Sequence, residues 1–102
     1  MINVKASLAD QPARAGVIAE VLKAVAHPVR LRLIALLTEQ DSHVNAMAAR
    51  LEIPQPIISQ QLRILRMRGL VEVVRKNGFA VYHLAEPRLS HVVECMEQCH
   101  RF

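Results

Sequence analysis

Residues 51–66 read Leu-Glu-Ile-Pro-Gln-Pro-Ile-Ile-Ser-Gln-Gln-Leu-Arg-Ile-Leu-Arg. Apolar side chains at Ile58, Leu62 and Leu65 recur at three- and four-residue spacing, which is typical of one buried face of an α-helix. The other face is polar and basic, and it carries Gln55, Ser59, Gln60, Arg63 and Arg66. Such side chains donate to phosphates and base edges, and a glutamine amide can bond an adenine edge at two points. The stretch therefore predicts a helix suited to a nucleic-acid duplex.

Three more helices are predicted before this stretch. Residues 13–26 and 28–38 carry apolar side chains at helical spacing, and His27-Pro28 separates them because proline suits the first turn of a helix. A polar loop over residues 39–42 leads to a short helix over residues 45–51, which Asn45 can cap. The inward residues predicted for the first two helices are Val17, Val21, Leu22, Val25, Leu31, Ile34, Ala35 and Leu37.

A β-hairpin and a last helix are predicted after it. Gly69 supplies a left-handed exit from the basic helix, and the β-branched residues 70–74 indicate a strand. Asn77-Gly78 is typical of a tight turn into a second strand over residues 79–84. A helix over residues 87–101 follows. The predicted fold class is mainly α with a small β-hairpin, a winged helix-turn-helix in the order α-α-α-α-β-β-α.

Length and composition predict one domain. The chain has 102 residues, of which 52% are hydrophobic, which excludes disorder. We expect residues 1–12 to be a partly ordered arm and residues 13–102 to form the domain. No apolar run is long enough to span a membrane and no signal-peptide pattern opens the chain, so we expect a cytoplasmic protein without a membrane partner.

The charge distribution favours an anionic partner. The net charge is +4, and basic residues cluster between Arg63 and Lys76, with Glu72 the lone acidic residue there. A clustered stripe of this kind is typical of phosphate binding, and the alternative is a merely solvated basic face. In the hairpin, Arg75 and Lys76 are the predicted phosphate contacts.

Three segments together resemble the ArsR/SmtB family of bacterial repressors. Residues 24–34, Ala-Val-Ala-His-Pro-Val-Arg-Leu-Arg-Leu-Ile, are similar to the family's opening of the second helix. Residues 51–66 resemble its recognition helix, although Pro54 and Pro56 replace the usual serines and Gln61 the usual histidine. Gly69-Leu70-Val71 and the residues around Asn77-Gly78 resemble its wing.

The resemblance implies a homodimer that binds an operator palindrome in double-stranded DNA. Its first and last helices would form the dimer interface, and its recognition helices would enter successive major grooves. The family's motif carries DNA contact over to Gln55, Ser59 and Gln60. With the exposed and wing residues added, the predicted DNA-binding set is Gln55, Pro56, Ser59, Gln60, Arg63, Arg75 and Lys76.

The last helix holds the predicted sensing site. The family's thiol site at the third helix is absent, since Ser42-His43-Val44-Asn45 contains no cysteine, and its zinc set is incomplete here. Instead, His91, Cys95 and Cys99 are four residues apart and would line one helical stripe. Thiolates with imidazole favour Zn(II), Cd(II), Cu(I) or As(III). Three interpretations stay open: a metal or metalloid site, a cysteine redox switch without a cofactor, or buried interface cysteines.

Two other classes of protein fit the sequence less well than a repressor does. A winged helix can also serve as a protein-interaction module without an inducer site, but the basic surface that such a module would have lost is present. An enzyme is disfavoured because no nucleophile–base–acid set and no phosphate-binding glycine loop can be assembled from the chain.

Overall fold

The computed structural model describes residues 7–102, so the first half of the arm predicted over residues 1–12 lies outside the described residues. Within them, a 3₁₀ turn (Leu8–Asp10) precedes α1, and the order of elements is α1-α2-β1-α3-α4-β2-β3-α5. This is the predicted winged helix-turn-helix with one added strand. The bounds are α1 Pro12–Val25, α2 Pro28–Glu39, β1 Ser42–His43, α3 Val44–Leu51, α4 Gln55–Met67, β2 Val71–Lys76, β3 Phe79–Leu84 and α5 Leu89–Glu97.

The core forms around α2, which contacts the other four helices and β3. On α4, Ile58, Leu62 and Leu65 are fully buried, which confirms the face predicted from their spacing. The inward face of α2 differs from the prediction, because Leu33 and Leu36 are buried while Leu31 is exposed. This helix has apolar residues on most of its circumference, so periodicity alone could not select the buried side.

The first helix also departs from the prediction. Of its predicted inward residues only Val25 is buried; Val17 is 67% exposed and Leu22 is 47% exposed. Its core contribution comes from its last turn, where Ala24 and Val25 are buried. Val21 is half-buried and packs against the core, whereas Val17 and Leu22 present apolar side chains away from it.

The predicted loop before α3 is shortened to Gln40 and Asp41 by a strand, and a histidine caps the helix. Ser42 and His43 form β1, which pairs antiparallel with β3, His43 lying opposite Val81. The backbone N–H of Ala46 donates to His43 Nδ1 at 3.2 Å, so His43 caps the helix and the predicted Asn45 cap is wrong. Val81, the partner of His43, is 38 positions away, so patterns among neighbouring residues could not predict this strand.

The hairpin has the predicted turn. Asn77 (φ +51°) and Gly78 (φ +82°) both adopt the left-handed backbone that a two-residue hairpin turn requires. The first strand runs from Val71 to Lys76, so it starts one residue later and ends two residues later than predicted. The sheet order is β1-β3-β2.

The last helix is shorter than predicted. It spans Leu89–Glu97, and Pro87 and Arg88 form a turn before it. Cys99 lies beyond its C-cap at Gln98. The prediction of one helix over residues 87–101 is therefore wrong at both ends. No helix in residues 7–102 is long and apolar enough to cross a membrane.

One ion pair gives a pH-dependent prediction. Arg50 donates to both carboxylate oxygens of Glu39, at 2.7 and 3.0 Å, and these hydrogen bonds lower the pKa of Glu39. A lowered folded-state pKa adds stability at neutral pH that disappears as the pH falls through that pKa. We expect Glu39→Gln to lower the melting temperature slightly at pH 7 and to match the wild type in acid. Thermal denaturation across pH measures this; a difference unchanged in acid would contradict it.

Candidate nucleic-acid interface

A tight turn joins α3 to α4 and sets their crossing. Glu52 takes the left-handed conformation (φ +56°), and its N–H bonds back to the last turn of α3. Arg32 of α2 donates to the carbonyl oxygen of Leu51 at 3.2 Å. Pro54 and Pro56 fit the start of α4 because the first-turn N–H groups have no intrahelical acceptor. The orientation of α4 relative to α3 is thus set by the backbone conformation at Glu52 and by the hydrogen bond from the Arg32 guanidinium.

The polar face of α4 is exposed as predicted. Gln55, Gln60 and Arg63 are exposed and Ser59 is half-buried. Gln55 Nε2 donates to Ser59 Oγ at 2.7 Å, which orients the amide along the helix. The hydroxyl accepts in this bond, and it can still donate its own proton to another acceptor. Pro56 is exposed beside them and offers only its ring.

Gln61 has a structural role that the sequence analysis did not identify. Arg30 of α2 donates to its Oε1 at 2.9 Å and also to the carbonyl oxygen of Ala24. Gln61 is half-buried and links α4 to α2. Gln61, which stands where the family usually has histidine, therefore orients α4 from the side that faces α2. Its place between the apolar and polar faces was the only signal available.

The hairpin places its basic residues at the tip of the wing. Arg75 and Lys76 are exposed, and Arg75 also donates to the carbonyl oxygen of Gly78 at 3.2 Å. An open cleft of about 220 Å³ lies between this tip and the start of α4. The structure therefore brings the two predicted groups of DNA-binding residues to neighbouring positions. The cleft is lined by His43, Val44, Asn45, Gln55, Phe79 and Ala80.

The basic surface is smaller than the sequence indicated. Arg68 Nη1 lies 3.7 Å from Glu20 of α1, so one of the clustered arginines is directed towards the first helix. Glu72, the acidic residue within the cluster, lies 3.1 Å from His83 across the hairpin. The exposed cations that remain for a duplex on α4 and the wing include Arg63, Arg66, Arg75 and Lys76.

The predicted sensing residues are not assembled within one chain. His91 and Cys95 are exposed on α5, whereas Cys99 is half-buried beyond the end of that helix. The prediction that all three line one helix is therefore wrong. In the part of the chain described, no three or more His, Cys, Asp or Glu side chains form a group that could hold a metal ion.

Comparison with known proteins identifies the class of protein. The family model of bacterial regulatory proteins of the arsR family matches residues 27–73. The chain is 39% identical over 83 residues to a biofilm growth-associated repressor of Agrobacterium fabrum, covering 81% of this chain and 71% of that one. It is 38% identical over 74 residues to the repressor SmtB of Mycobacterium tuberculosis, covering 72% and 55%.

A solved structure agrees with this assignment. The transcriptional repressor BigR from Xylella fastidiosa superposes with a TM-score of 0.82 at 34% identity, covering 94% of this chain and all of that one. The chain belongs to the ArsR family. It is a transcriptional repressor with a DNA-binding winged helix, and it is not an enzyme.

Proposed function

We propose that this protein binds an operator palindrome as a homodimer, with α4 in the major groove and the wing on the adjacent backbone. The observation that carries the proposal is the two-sided character of α4. Its apolar face is fully buried at Ile58, Leu62 and Leu65, and the opposite face leaves Gln55, Gln60 and Arg63 exposed. A helix whose apolar face is held in the core and whose polar face is exposed can contact base edges.

The proposed dimer interface consists of α1 and α5. Val17, Leu22 and Val92 are large apolar residues exposed on these two helices. They line one open groove of about 670 Å³. A second copy that covers this groove by two-fold symmetry would bury apolar side chains and place two α4 helices side by side. Half-site spacing in the operator would follow from that geometry.

Two substitutions separate base reading from backbone binding. We expect Gln60→Ala to weaken binding to the preferred duplex by about 1–3 kcal/mol per half-site and to relax base preference. We expect Lys76→Ala to weaken binding to all duplexes and to reduce the salt slope by about 1 per subunit. The probe is a duplex of about 30 base pairs selected from a randomised pool by the wild type, titrated by fluorescence anisotropy at several salt concentrations.

Gln40→Ala is the matched control, because Gln40 is an exposed glutamine just after α2, outside α4, the wing and the proposed interface helices α1 and α5. It should bind like the wild type. If neither Gln60→Ala nor Lys76→Ala changed binding, α4 and the wing would not be the DNA surface. A protein-interaction module would then be the better description.

We also propose that a signal at α5 changes DNA affinity through Cys95 and Cys99. Both thiols are free, and α5 carries part of the proposed interface. No three such ligands meet within residues 7–102 of one chain. A metal or metalloid that needs three ligands would therefore be held by residues of both subunits. Thiol oxidation is the alternative. A coupling of about 1–3 kcal/mol between the sites would change affinity roughly 5- to 150-fold.

A paired substitution tests the signal. We expect Cys95→Ser with Cys99→Ser to keep DNA affinity but to abolish the response to Zn(II), Cd(II), Cu(I), arsenite or a thiol oxidant added to the DNA titration. Native mass spectrometry of the wild type, with and without thiol alkylation, distinguishes bound metal from oxidised cysteine. A double variant that responds like the wild type would place the sensor elsewhere.

A further inference from the structure

We propose that the ring pair His43–Phe79 positions the wing relative to the recognition helix. This inference rests on the proposed function, because it concerns how the wing is presented to DNA. His43 and Phe79 are stacked, with ring centroids 5.3 Å apart and an interplanar angle of 24°. Both rings line the cleft between the wing tip and Gln55. Neither residue belongs to the predicted DNA-binding set.

The register of the sheet explains why the rings meet. His43 lies opposite Val81 in the β1–β3 pairing, and Phe79 precedes Val81 by two residues on β3. Side chains two residues apart on a strand share one face, so Phe79 is the diagonal neighbour of His43. Diagonal neighbours are about 7–8 Å apart at the backbone, which aromatic rings can bridge.

His43 is fixed to the helical part of the fold. Its backbone pairs with β3, and its Nδ1 accepts the N–H of Ala46 in the first turn of α3. These two attachments leave the ring little freedom to turn. α3 in turn packs on α4 through the turn at Glu52. The ring of His43 is therefore a rigid support whose position is set by the helix-turn-helix.

Phe79 is the wing residue that stacks on the ring of His43. It pairs with Lys76 across the hairpin, next to the turn at Asn77 and Gly78. The pairing of β1 with β3 covers residues 81 and 82 only, so the tip extends past the three-stranded part of the sheet. Phe79 remains 57% exposed even with this contact. Stacking on His43 holds the extended tip, which lowers the entropy lost when Arg75 and Lys76 meet a phosphate backbone.

The experiment compares four proteins on the same DNA probe, a mixed-sequence duplex of about 30 base pairs. Phe79→Ala removes one ring. His43→Asn removes the other and retains a side-chain oxygen that can cap α3. Aromatic pairs contribute enough that each variant should bind about two- to tenfold more weakly. The double variant should be no weaker than the weaker single variant, because both remove the same contact.

Two further readouts separate positioning from direct DNA contact. The salt slope should stay at the wild-type value in Phe79→Ala and His43→Asn, because the cations still reach their phosphates. NMR order parameters of the Asn77 and Gly78 amides should fall in both variants. Phe79→Tyr, which keeps the ring, should restore affinity and order. Phe102→Ala is the matched control, since Phe102 is exposed at the far end of the chain.

The outcomes are distinguishable from those that test the proposed function. If Arg75→Ala and Lys76→Ala flatten the salt dependence while Phe79→Ala and His43→Asn bind like the wild type, the wing binds DNA and the positioning role is wrong. Additive losses in the double variant, or a loss in Phe79→Ala alone, would also overturn it. If these four substitutions all leave binding unchanged, the wing does not bind DNA, and that part of the proposed function fails as well.

Discussion

Val17→Asp is expected to make the protein monomeric and to reduce its affinity for a palindromic duplex by about 10²- to 10⁴-fold. Val17 is 67% exposed within one chain, so a carboxylate there costs the subunit little when it is alone. In the proposed dimer the same position is covered by a second copy. Two unpaired carboxylates would then be desolvated at an apolar interface, which is strongly unfavourable.

The DNA effect follows from loss of linkage between two recognition helices. In a dimer, binding of the first α4 places the second near its half-site at a high effective concentration. A monomer loses this gain although each α4 is unchanged. Sedimentation velocity measures the oligomeric state, and anisotropy with full-site and half-site duplexes measures the affinity. Half-site affinity of the isolated subunit should match the wild-type value.

Val74→Asp is the matched control for this variant. Val74 is also an exposed valine, but it lies on β2 in the wing rather than on α1 or α5. It should remain dimeric in sedimentation. A dimeric Val17→Asp protein would show that the exposed face of α1 is not the interface, and a monomeric Val74→Asp protein would show that the assembly uses the wing.

Local chemistry explains which parts of the fold could be predicted. The α4 face was predicted because Ile58, Leu62 and Leu65 recur at three- and four-residue spacing and so lie on one side of a helix. The hairpin was predicted because Asn77 and Gly78 supply the positive φ angles of its turn. These features depend on a few neighbouring residues. The exposed positions of Gln55, Gln60, Arg63, Arg75 and Lys76 followed from them.

The errors arose where distant residues decide the structure. β1 exists only because Ser42 and His43 pair with β3, and the cap of α3 changed with it. Gln61 was assigned no orienting role because its partner Arg30 is 31 positions away. Periodicity did not show which apolar residues of α1 are buried: the side expected to face inward includes the exposed Val17 as well as the buried Val25. The prediction that His91, Cys95 and Cys99 line one helix was wrong because α5 ends before Cys99.

Leu62→Ala is expected to lower the free energy of unfolding by about 2–5 kcal/mol. Leu62 is fully buried on the apolar face of α4. Truncation removes transfer free energy and leaves a cavity that the surrounding helices fill only in part. A domain of this size has a total stability of about 5–15 kcal/mol, so the variant should lose a large share of it. Urea denaturation followed by circular dichroism, at several protein concentrations because of dimerisation, measures the change.

Met67→Ala is the control on the same helix. Met67 is an equally apolar side chain at the last position of α4, but it is 75% exposed, and its truncation should change stability by no more than about 0.5 kcal/mol. The contrast between the two variants tests the orientation of α4 without any DNA present. Equal losses would mean that the helix does not bury its Leu62 side. The polar face would then not be directed outward, and the DNA-binding assignments of Gln60 and Arg63 would lose their basis.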